Sequence, residues 1–368
     1  MGLEDEVSKG RKVIHTDAYP ISIGEIINIY RDGDLDIHPE FQREFRWKPH
    51  QKSKLIESIL LGIPLPSIFV AQRDDGVWDV VDGVQRLSTI MSFVGELKNE
   101  EGIKISPLPL QKTQYLPSLE NISWVETAGT VALSDELKRA FKREKIDVKI
   151  IKSESDENAK FELFQRLNTG GTDLSEQEVR NCLLLMLNRD AYEWLKKVSE
   201  NSNFRDCLSL TERQLEEKNE MELALRFLIS IEFDPSEKID HSDIGPFITS
   251  QMKMQLVDRS IDFEAMSEFF GRTFKILNET LGEDSFKRYS TSKQKHEGAF
   301  SVALFELISS GVAFFLRSNG TDEAAKSKLL AIVQALPDDD RYSEATKHGV
   351  RAVSRFPRLI ELARELFS

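Results

Sequence analysis

The stretch that decides the N-terminal fold is VVDGVQRLST, residues 80–89. A β-branched run breaks here at the Asp82-Gly83 pair, and the chain continues with apolar residues at helical spacing. A strand, a tight glycine turn and a helix start form an anion-binding corner, because free backbone N–H groups point outward where Gly83 allows close approach. Gln85 and Arg86 add side-chain donors, and arginine suits bidentate phosphate contact. The alternative interpretation is an ordinary strand–turn–helix joint with a solvated arginine.

The segments before this stretch predict the other elements of a sheet domain. An arginine-bearing loop, HPEFQREFRW (residues 38–47), precedes a segment with apolar residues at helical spacing, which ends at a glycine before prolines. A buried strand and a hairpin turn then lead into the strand of the first motif. The predicted elements are a helix at 51–61, a strand at 67–71, a turn at Asp74-Asp75-Gly76 and a strand at 77–81.

Together these motifs resemble the N-terminal domain of GmrSD-type modification-dependent restriction systems. That family is marked by an Asp-Gly-Gln-Gln-Arg box and is related in fold to ParB and sulfiredoxin. Several boxes in the family's order are a specific signal, whereas any one of them would be weak. The sequence departs from the family at Val84, which stands where the family usually has its first glutamine. The matching residues are Gln42-Arg43 with Trp47, Ser58-Ile59 with Pro64 and Pro66, Asp82-Gly83-Val84-Gln85-Arg86-Leu87, and Phe164-Gln165-Arg166-Leu167-Asn168-Thr169-Gly170-Gly171 with Leu174-Ser175.

The resemblance implies a nucleotide site and a role for each of its residues. Arg43 and Arg86 would neutralise phosphate oxygens. Asp82 would ligate a Mg²⁺ ion that accompanies a nucleoside triphosphate (NTP), or orient a water, while Gln42 and Gln85 position the phosphate or that water. Asp82, Gln85 and Arg86 are therefore the predicted catalytic residues. In the alternative interpretation Asp82 only fixes the backbone of its own turn.

A second predicted part of the site is the loop NTGG at residues 168–171. By itself, this loop is explained by two glycines that permit a sharp turn before a capped helix. With the resemblance, we expect it to close over the nucleotide, since it offers backbone donors, an amide and a hydroxyl. The predicted phosphate-binding residues here are Arg166, Asn168, Thr169 and Gly170.

Composition predicts a globular protein of the cytoplasm. Of 368 residues, 40% are hydrophobic and 30% are charged, which suffices for a large core and two domains. The first residues are acidic and polar, unlike a signal peptide, and the most apolar stretch, 299–316, is interrupted by Glu306 and too short to span a bilayer comfortably. Cys182 and Cys207 lack metal-site spacing, and we predict that both pack in the core.

The net charge of −13 argues against nonspecific DNA binding as the main task. Phosphate neutralisation supplies most of that affinity, and such proteins usually carry a basic balance. A basic cluster between Lys138 and Lys145 lies in a helical run that begins near Ser134, where a solvated face is the expected explanation. Contact with DNA through such a patch, or through a partner, stays open.

The patterns beyond residue 152 predict a change of fold class. A charged turn at 152–158 follows the predicted strand Ile146–Ile151, and helical patterns dominate after it. We predict an α+β, ParB/sulfiredoxin-like domain at residues 1–160 and an all-helical domain at residues 161–368. A capping box at Ser175-Glu176-Gln177-Glu178 opens a helix that runs through Asn188. Further predicted helices cover 161–167, 191–198, 221–231, 263–277, 300–316, 321–336 and 357–367.

Nuclease motifs and classical nucleotide motifs are missing from the sequence. There is no Gly-X4-Gly-Lys-Ser/Thr loop, no Gly-X-Gly-X-X-Gly after a strand, and no clustered His–Asn–His constellation. Asp147-Val148-Lys149, with Asp135 upstream, fits half of the acid-X-lysine pattern of metal-dependent nucleases. We interpret this triplet as structural, because it falls on an alternating strand, and we predict no nuclease in this chain.

These patterns predict a nucleotide-binding, NTP-hydrolysing sensor or regulatory subunit of a bacterial anti-phage or restriction system. Its expected partners are an NTP, DNA, and an effector or nuclease subunit or a second copy of the chain; a membrane is not expected. The competing hypothesis is a noncatalytic DNA-sensing or protein-interaction module that uses the same arginine-lined corner.

Overall fold

The computed structural model of the protein describes residues 2, 15–37, 47–99, 101–153, 155 and 175–368. The chain divides into two compact units, Met1–Asp173 and Leu174–Ser368. The predicted domain boundary, between residues 160 and 161, lies outside the described residues. So do the predicted helix at 161–167 and the loop at 168–171.

The first unit is built on a mixed five-stranded sheet with strand order β1-β7-β3-β4-β2. Its strands are β1 (Thr16–Ser22), β2 (Leu35–Asp36), β3 (Ile68–Gln72), β4 (Trp78–Asp82) and β7 (Lys145–Ile151). The helices are α1 (Ile23–Asp32), α2 (Pro49–Leu60), α3 (Val84–Val94) and α4 (Asp135–Arg143). Two short parallel strands, β5 (Ile122–Ser123) and β6 (Val131–Ala132), form a separate pair. The predicted order of helix, strand, hairpin, strand and helix around the DGVQR box is confirmed.

The β3–β4 hairpin forms where the turn chemistry predicts it. The strands pair antiparallel, and Arg73 N–H donates to the Val77 carbonyl at 2.8 Å. Gly76 has a φ of 92°, a left-handed conformation that glycine adopts without steric cost. The strand begins one residue later than predicted, at Trp78, and extends to Asp82. The aspartate of the box is therefore the last residue of a strand.

Strand β7 divides its side chains between the core and an exposed face. Ile146, Val148 and Ile150 are buried, which confirms the predicted alternation. Lys145, Asp147 and Lys149 alternate with them and are exposed. Because β7 lies between β1 and β3, this exposed row runs along an inner strand of the sheet.

The second unit is mainly helical, as predicted, and its first helix starts at the expected cap. The Ser175 hydroxyl accepts from Glu178 N–H at 3.2 Å, and the Glu178 carboxylate accepts from Ser175 N–H at 2.6 Å. The helices are α5 (Glu176–Leu187), α6 (Arg189–Ser199), α7 (Ser202–Asp206), α8 (Glu212–Glu216), α9 (Asn219–Glu232), α10 (Ile244–Leu256), α11 (Phe263–Leu281), α12 (Val302–Arg317), α13 (Asp322–Ala335), α14 (Asp340–Thr346) and α15 (Ala352–Phe367).

Two predictions for this unit are wrong. It is not all helical, because β8 (Arg288–Ser290) and β9 (Lys295–Glu297) pair as an antiparallel hairpin. Three-residue polar strands leave no hydrophobic alternation to detect. The last helix begins at Ala352, five residues before the predicted start at Pro357. Proline favours the first helical turn, but here it lies inside the helix at the cost of a backbone hydrogen bond.

A chain of buried charges connects four helices of the second unit. Arg180 of α5 donates to Glu222 of α9 at 2.6 Å, and Arg226 of α9 donates to Glu222 at 2.9 Å and to Glu306 of α12 at 2.7 Å. Arg355 of α15 lies 3.7 Å from the Glu306 carboxylate. Burial opposes ionisation of Glu222, but Arg226 and Arg180 outweigh it and hold its pKa below the usual glutamate range. Buried charges persist when they are paired, so these contacts fix how the helices pack.

Two further expectations concern cysteines and membranes. Cys182 and Cys207 are both buried, as predicted, and burial raises the pKa of the Cys207 thiol to about 11. Within the ranges that the structure describes, no helix combines the length and the apolar character needed to cross a bilayer.

Candidate functional site

The DGVQR box forms a sharp corner between β4 and α3. Gly83 is the N-cap of α3 with φ 100° and ψ 11°, a left-handed conformation. The first helical hydrogen bond runs from Leu87 N–H to the Gly83 carbonyl at 2.9 Å. Among the described residues, no side chain caps this helix. The first-turn N–H groups therefore keep the donor capacity that makes a helix N-terminus attractive to anions. We call the segment from Asp82 to Arg86 the β4–α3 corner.

Close packing adds to the need for glycine at position 83. A Cβ atom there would lie 3.0 Å from Ile68 Cγ1 and 3.3 Å from Arg86 Nη2. A larger residue would thus meet both the strand below the corner and the arginine of the box, in addition to the strain of a positive φ.

The Arg86 guanidinium donates hydrogen bonds to three acceptors within the protein. Its Nη2 donates to Asp82 Oδ2 at 3.0 Å, and its Nη1 donates to the carbonyl oxygens of Ser67, at 3.2 Å, and Pro66. Burial lowers the pKa of the Arg86 guanidinium, and the Asp82 carboxylate offsets part of that effect. Arg86 therefore ties the start of α3 to the loop before β3 and holds the Asp82 carboxylate in place.

Asp82 keeps access to solvent at the corner. Its side chain is 34% exposed, against 12% for Arg86. Mg²⁺ is commonly held by one or two carboxylates together with substrate phosphates and water. Asp82 could contribute one carboxylate ligand to such an ion. Among the described residues, no group of three His, Cys, Asp or Glu side chains could hold a metal ion by themselves.

Gln85 joins the corner to Trp47, the last residue of the arginine-bearing loop. Its Oε1 accepts from Trp47 N–H at 3.1 Å, so the structure brings the tryptophan of the arginine-bearing loop to the DGVQR box. Its Nε2 is buried and has no hydrogen-bond partner in the part of the chain that the structure describes. A buried amide donor without an acceptor is costly, which makes this atom a candidate to bind a ligand oxygen.

The sheet adds two residues that sequence reasoning did not assign to the site. Phe69 of β3 lies opposite Asp82 in one ladder and opposite Lys149 of β7 in the other. The Lys149 ammonium sits over the Phe69 ring, 4.9 Å from its centroid. The Asp147-X-Lys149 triplet is recognisable in the sequence and could have drawn attention to Lys149. The strand order that brings it near Asp82 could not be predicted from the alternation of buried and exposed residues alone.

Residues 23–185 match the family model of the GmrSD restriction endonuclease N-terminal domain. This match confirms the predicted resemblance over that segment of the chain. The match begins at the first residue of α1, includes the whole β4–α3 corner and ends inside α5. The chain matches no curated protein and no solved structure. Kinship in fold with ParB and sulfiredoxin therefore stays a prediction.

The residue at which the chain departs from the box of the matched family lies in the core. Val84, where the family usually has a glutamine, is 8% exposed. A glutamine at this depth would need hydrogen-bond partners for its amide, whereas valine packs without them. The polar functions of the corner are thus carried by Asp82, Gln85 and Arg86 around a buried Val84.

The remaining predicted site residues lie outside the described residues. Their predicted phosphate-binding roles stay predictions. They are Gln42, Arg43, Arg166, Asn168, Thr169 and Gly170.

Proposed function

We propose that this chain is a component of a bacterial restriction or anti-phage system, and that its GmrSD N-terminal domain binds and hydrolyses an NTP at the β4–α3 corner. The observation that carries the proposal is the convergence of three groups on one corner. Within the part of the chain that the structure describes, the first turn of α3 has no side-chain cap and Gln85 Nε2 has no acceptor, so both offer donors to phosphate oxygens. The partly exposed Asp82 carboxylate offers a ligand for Mg²⁺.

In this proposal the three polar side chains of the box have different tasks. Backbone N–H groups and Gln85 Nε2 donate to the phosphates, and Asp82 contributes one ligand to the magnesium ion that accompanies them. Arg86 orients Asp82 through their 3.0 Å contact. Its direct use on phosphate would require it to release Asp82 or the carbonyls of the preceding loop. Magnesium would supply charge neutralisation of the transferring phosphoryl group.

The Gln85→Glu variant tests the binding role of the amide donor. Glutamate retains an oxygen for Trp47 N–H but replaces the donor with a carboxylate that repels phosphate. We expect NTP affinity to fall at least about tenfold, the value of one charge-assisted hydrogen bond of about 1.5 kcal/mol or more. Titration calorimetry with each of the four NTPs and Mg²⁺ measures this. Gln72→Ala, at the end of β3, is the matched control and should bind as wild type does.

Two outcomes, one from this titration and one from a parallel titration with DNA, would contradict the proposal. If a folded Gln85→Glu protein binds NTP as tightly as wild type, the Gln85 amide does not contact the nucleotide. A wild-type chain that binds DNA but no NTP would favour the noncatalytic DNA-sensing alternative, in which the same corner docks a DNA phosphate. Thermal unfolding of both variants, compared with wild type, confirms that they are folded.

We further propose that DNA cleavage depends on an effector or nuclease subunit rather than on the Asp147-X-Lys149 triplet. Asp135, the upstream acid of that pattern, lies in the first turn of α4 and faces Lys138 at 3.7 Å. In a separate assay with DNA and Mg²⁺ or Mn²⁺, the isolated chain should leave the DNA intact. Metal-dependent cutting that Asp147→Ala abolishes and Asp82→Ala spares would contradict this.

A further inference from the structure

The exposed Lys149 and the half-buried Phe69 lie in the row of the sheet that ends at Asp82. In the strand ladders Lys149 is opposite Phe69, and Phe69 is opposite Asp82. Neighbouring strands are about 4.8 Å apart, so the backbone positions of Lys149 and Asp82 are separated by about 10 Å. The ammonium reaches back over the Phe69 ring, 4.9 Å from its centroid, which places it on the Asp82 side of its own strand.

The charge on Lys149 is not neutralised by a carboxylate among the described residues. Lys152, three residues later, pairs with Asp17 at 2.8 Å, and Lys138 pairs with Asp135 at 3.7 Å. The described ion pairs include none for Lys149, whose ammonium has only the ring face beneath it. Contact with an aromatic face holds a cation in position while leaving its N–H donors able to bind an anion.

The arginine of the corner, Arg86, cannot take the same role without breaking existing contacts. Arg86 already donates to Asp82 and to two backbone carbonyls, and it is mostly buried. Lys149 is exposed and has no such contacts to break. A polyphosphate that begins at the first turn of α3, which has no side-chain cap among the described residues, would therefore find the Lys149 ammonium on the far side of Phe69.

We propose that Lys149 binds a phosphate of the NTP at the β4–α3 corner and that Phe69 is a positioning residue that directs the ammonium toward Asp82. This inference rests on the proposed function, since it assigns a further binding residue to the same site. The inference also assigns the lysine of the Asp147-X-Lys149 triplet a role other than metal-dependent cleavage. Lysine acts here as a compact point charge, a common arrangement for phosphate.

The Lys149→Met variant tests the proposal against a matched control on the same strand. Lys145 is also exposed on β7, but it lies four residues away, about 13 Å along the strand. We expect Lys149→Met to weaken binding of the NTP by about tenfold to a hundredfold, the range for a charge-assisted hydrogen bond. Lys145→Met should leave it within about twofold, because long-range surface charge is largely screened at physiological salt. Titration calorimetry with ATP, GTP, CTP and UTP, each with Mg²⁺, provides the dissociation constants.

The role of Phe69 is tested by combining variants. Phe69→Leu retains an apolar side chain but removes the ring that holds the ammonium. We expect the effect of Lys149→Met to be smaller in the Phe69→Leu background than in wild type, which a purely structural role of Phe69 would not produce. If the effects of the two substitutions on binding free energy are strictly additive, Phe69 does not position Lys149 and this part of the proposal is wrong.

The outcomes separate this inference from the function on which it rests. If wild type binds an NTP and Lys149→Met binds it equally well, the inference on Lys149 is wrong and the proposed function stands. If wild type binds none of the four NTPs, the proposed function itself fails. If Lys149→Met weakens binding of duplex DNA but not of any NTP, the lysine contacts nucleic acid and the inference is overturned.

Discussion

Replacing Glu306 with alanine should destabilise the helical unit by about 3–5 kcal/mol, the cost of removing one partner of a buried ion pair. Glu306 is completely buried, and Arg226, which donates to it at 2.7 Å, is only 8% exposed. The alanine variant leaves that guanidinium facing a cavity with one fewer acceptor. Urea unfolding followed by far-ultraviolet circular dichroism measures the change in the free energy of unfolding.

A second ion pair between the same two helices provides the control. Glu232 of α9 contacts Arg317 of α12, and their side chains are 33% and 38% exposed. Because exposed pairs contribute little, Glu232→Ala should cost no more than about 1 kcal/mol. If Glu306→Ala costs no more than Glu232→Ala, the buried network does not hold these helices together as described.

The Asp82→Asn variant should lose NTP hydrolysis by about a hundredfold or more while its NTP affinity changes only severalfold. Asparagine keeps the shape of aspartate but lacks the charge that would bind Mg²⁺, and metal stabilisation of the transferring phosphoryl group is felt most in the transition state. Phosphate release at saturating NTP gives the turnover rate, and calorimetry gives the affinity.

Asp75→Asn is the matched control for Asp82→Asn. Asp75 lies in the turn of the same hairpin, where its Oδ1 accepts from Val77 N–H at 3.0 Å. An asparagine oxygen can accept this bond equally well, so hydrolysis should stay near the wild-type rate. Equal turnover in Asp82→Asn and wild type would exclude Asp82 as a metal ligand in catalysis.

The corner could be predicted from the sequence because its geometry is encoded locally. A β-branched run, an Asp-Gly pair and a helical stripe each reflect backbone preferences of neighbouring residues. The same holds for the capping box at Ser175 and for the hairpin that ends at Gly76. These elements formed within a few residues of their predicted bounds.

Other features depend on contacts between residues that are distant in the chain. The spacing of apolar and polar residues along the sequence does not reveal such contacts. The anchoring of Arg86 by the Pro66 and Ser67 carbonyls requires the loop before β3 to fold over the start of α3. The approach of Lys149 to Phe69 requires β7 to insert beside β3 from about 80 residues away. Strand β1 was not predicted either, because it is an edge strand whose residues are mostly exposed.

Hydrogen exchange of the wild-type chain with and without NTP and Mg²⁺ tests the central claim most directly, since it requires no substitution. If the β4–α3 corner binds the triphosphate, saturating nucleotide should slow amide exchange at residues 80–87 and along β7 at 145–151. Exchange in α12, at 302–317, should stay unchanged. Saturating binding that leaves residues 80–87 unprotected, or that protects only the helical unit, would show that the nucleotide binds elsewhere and contradict the account.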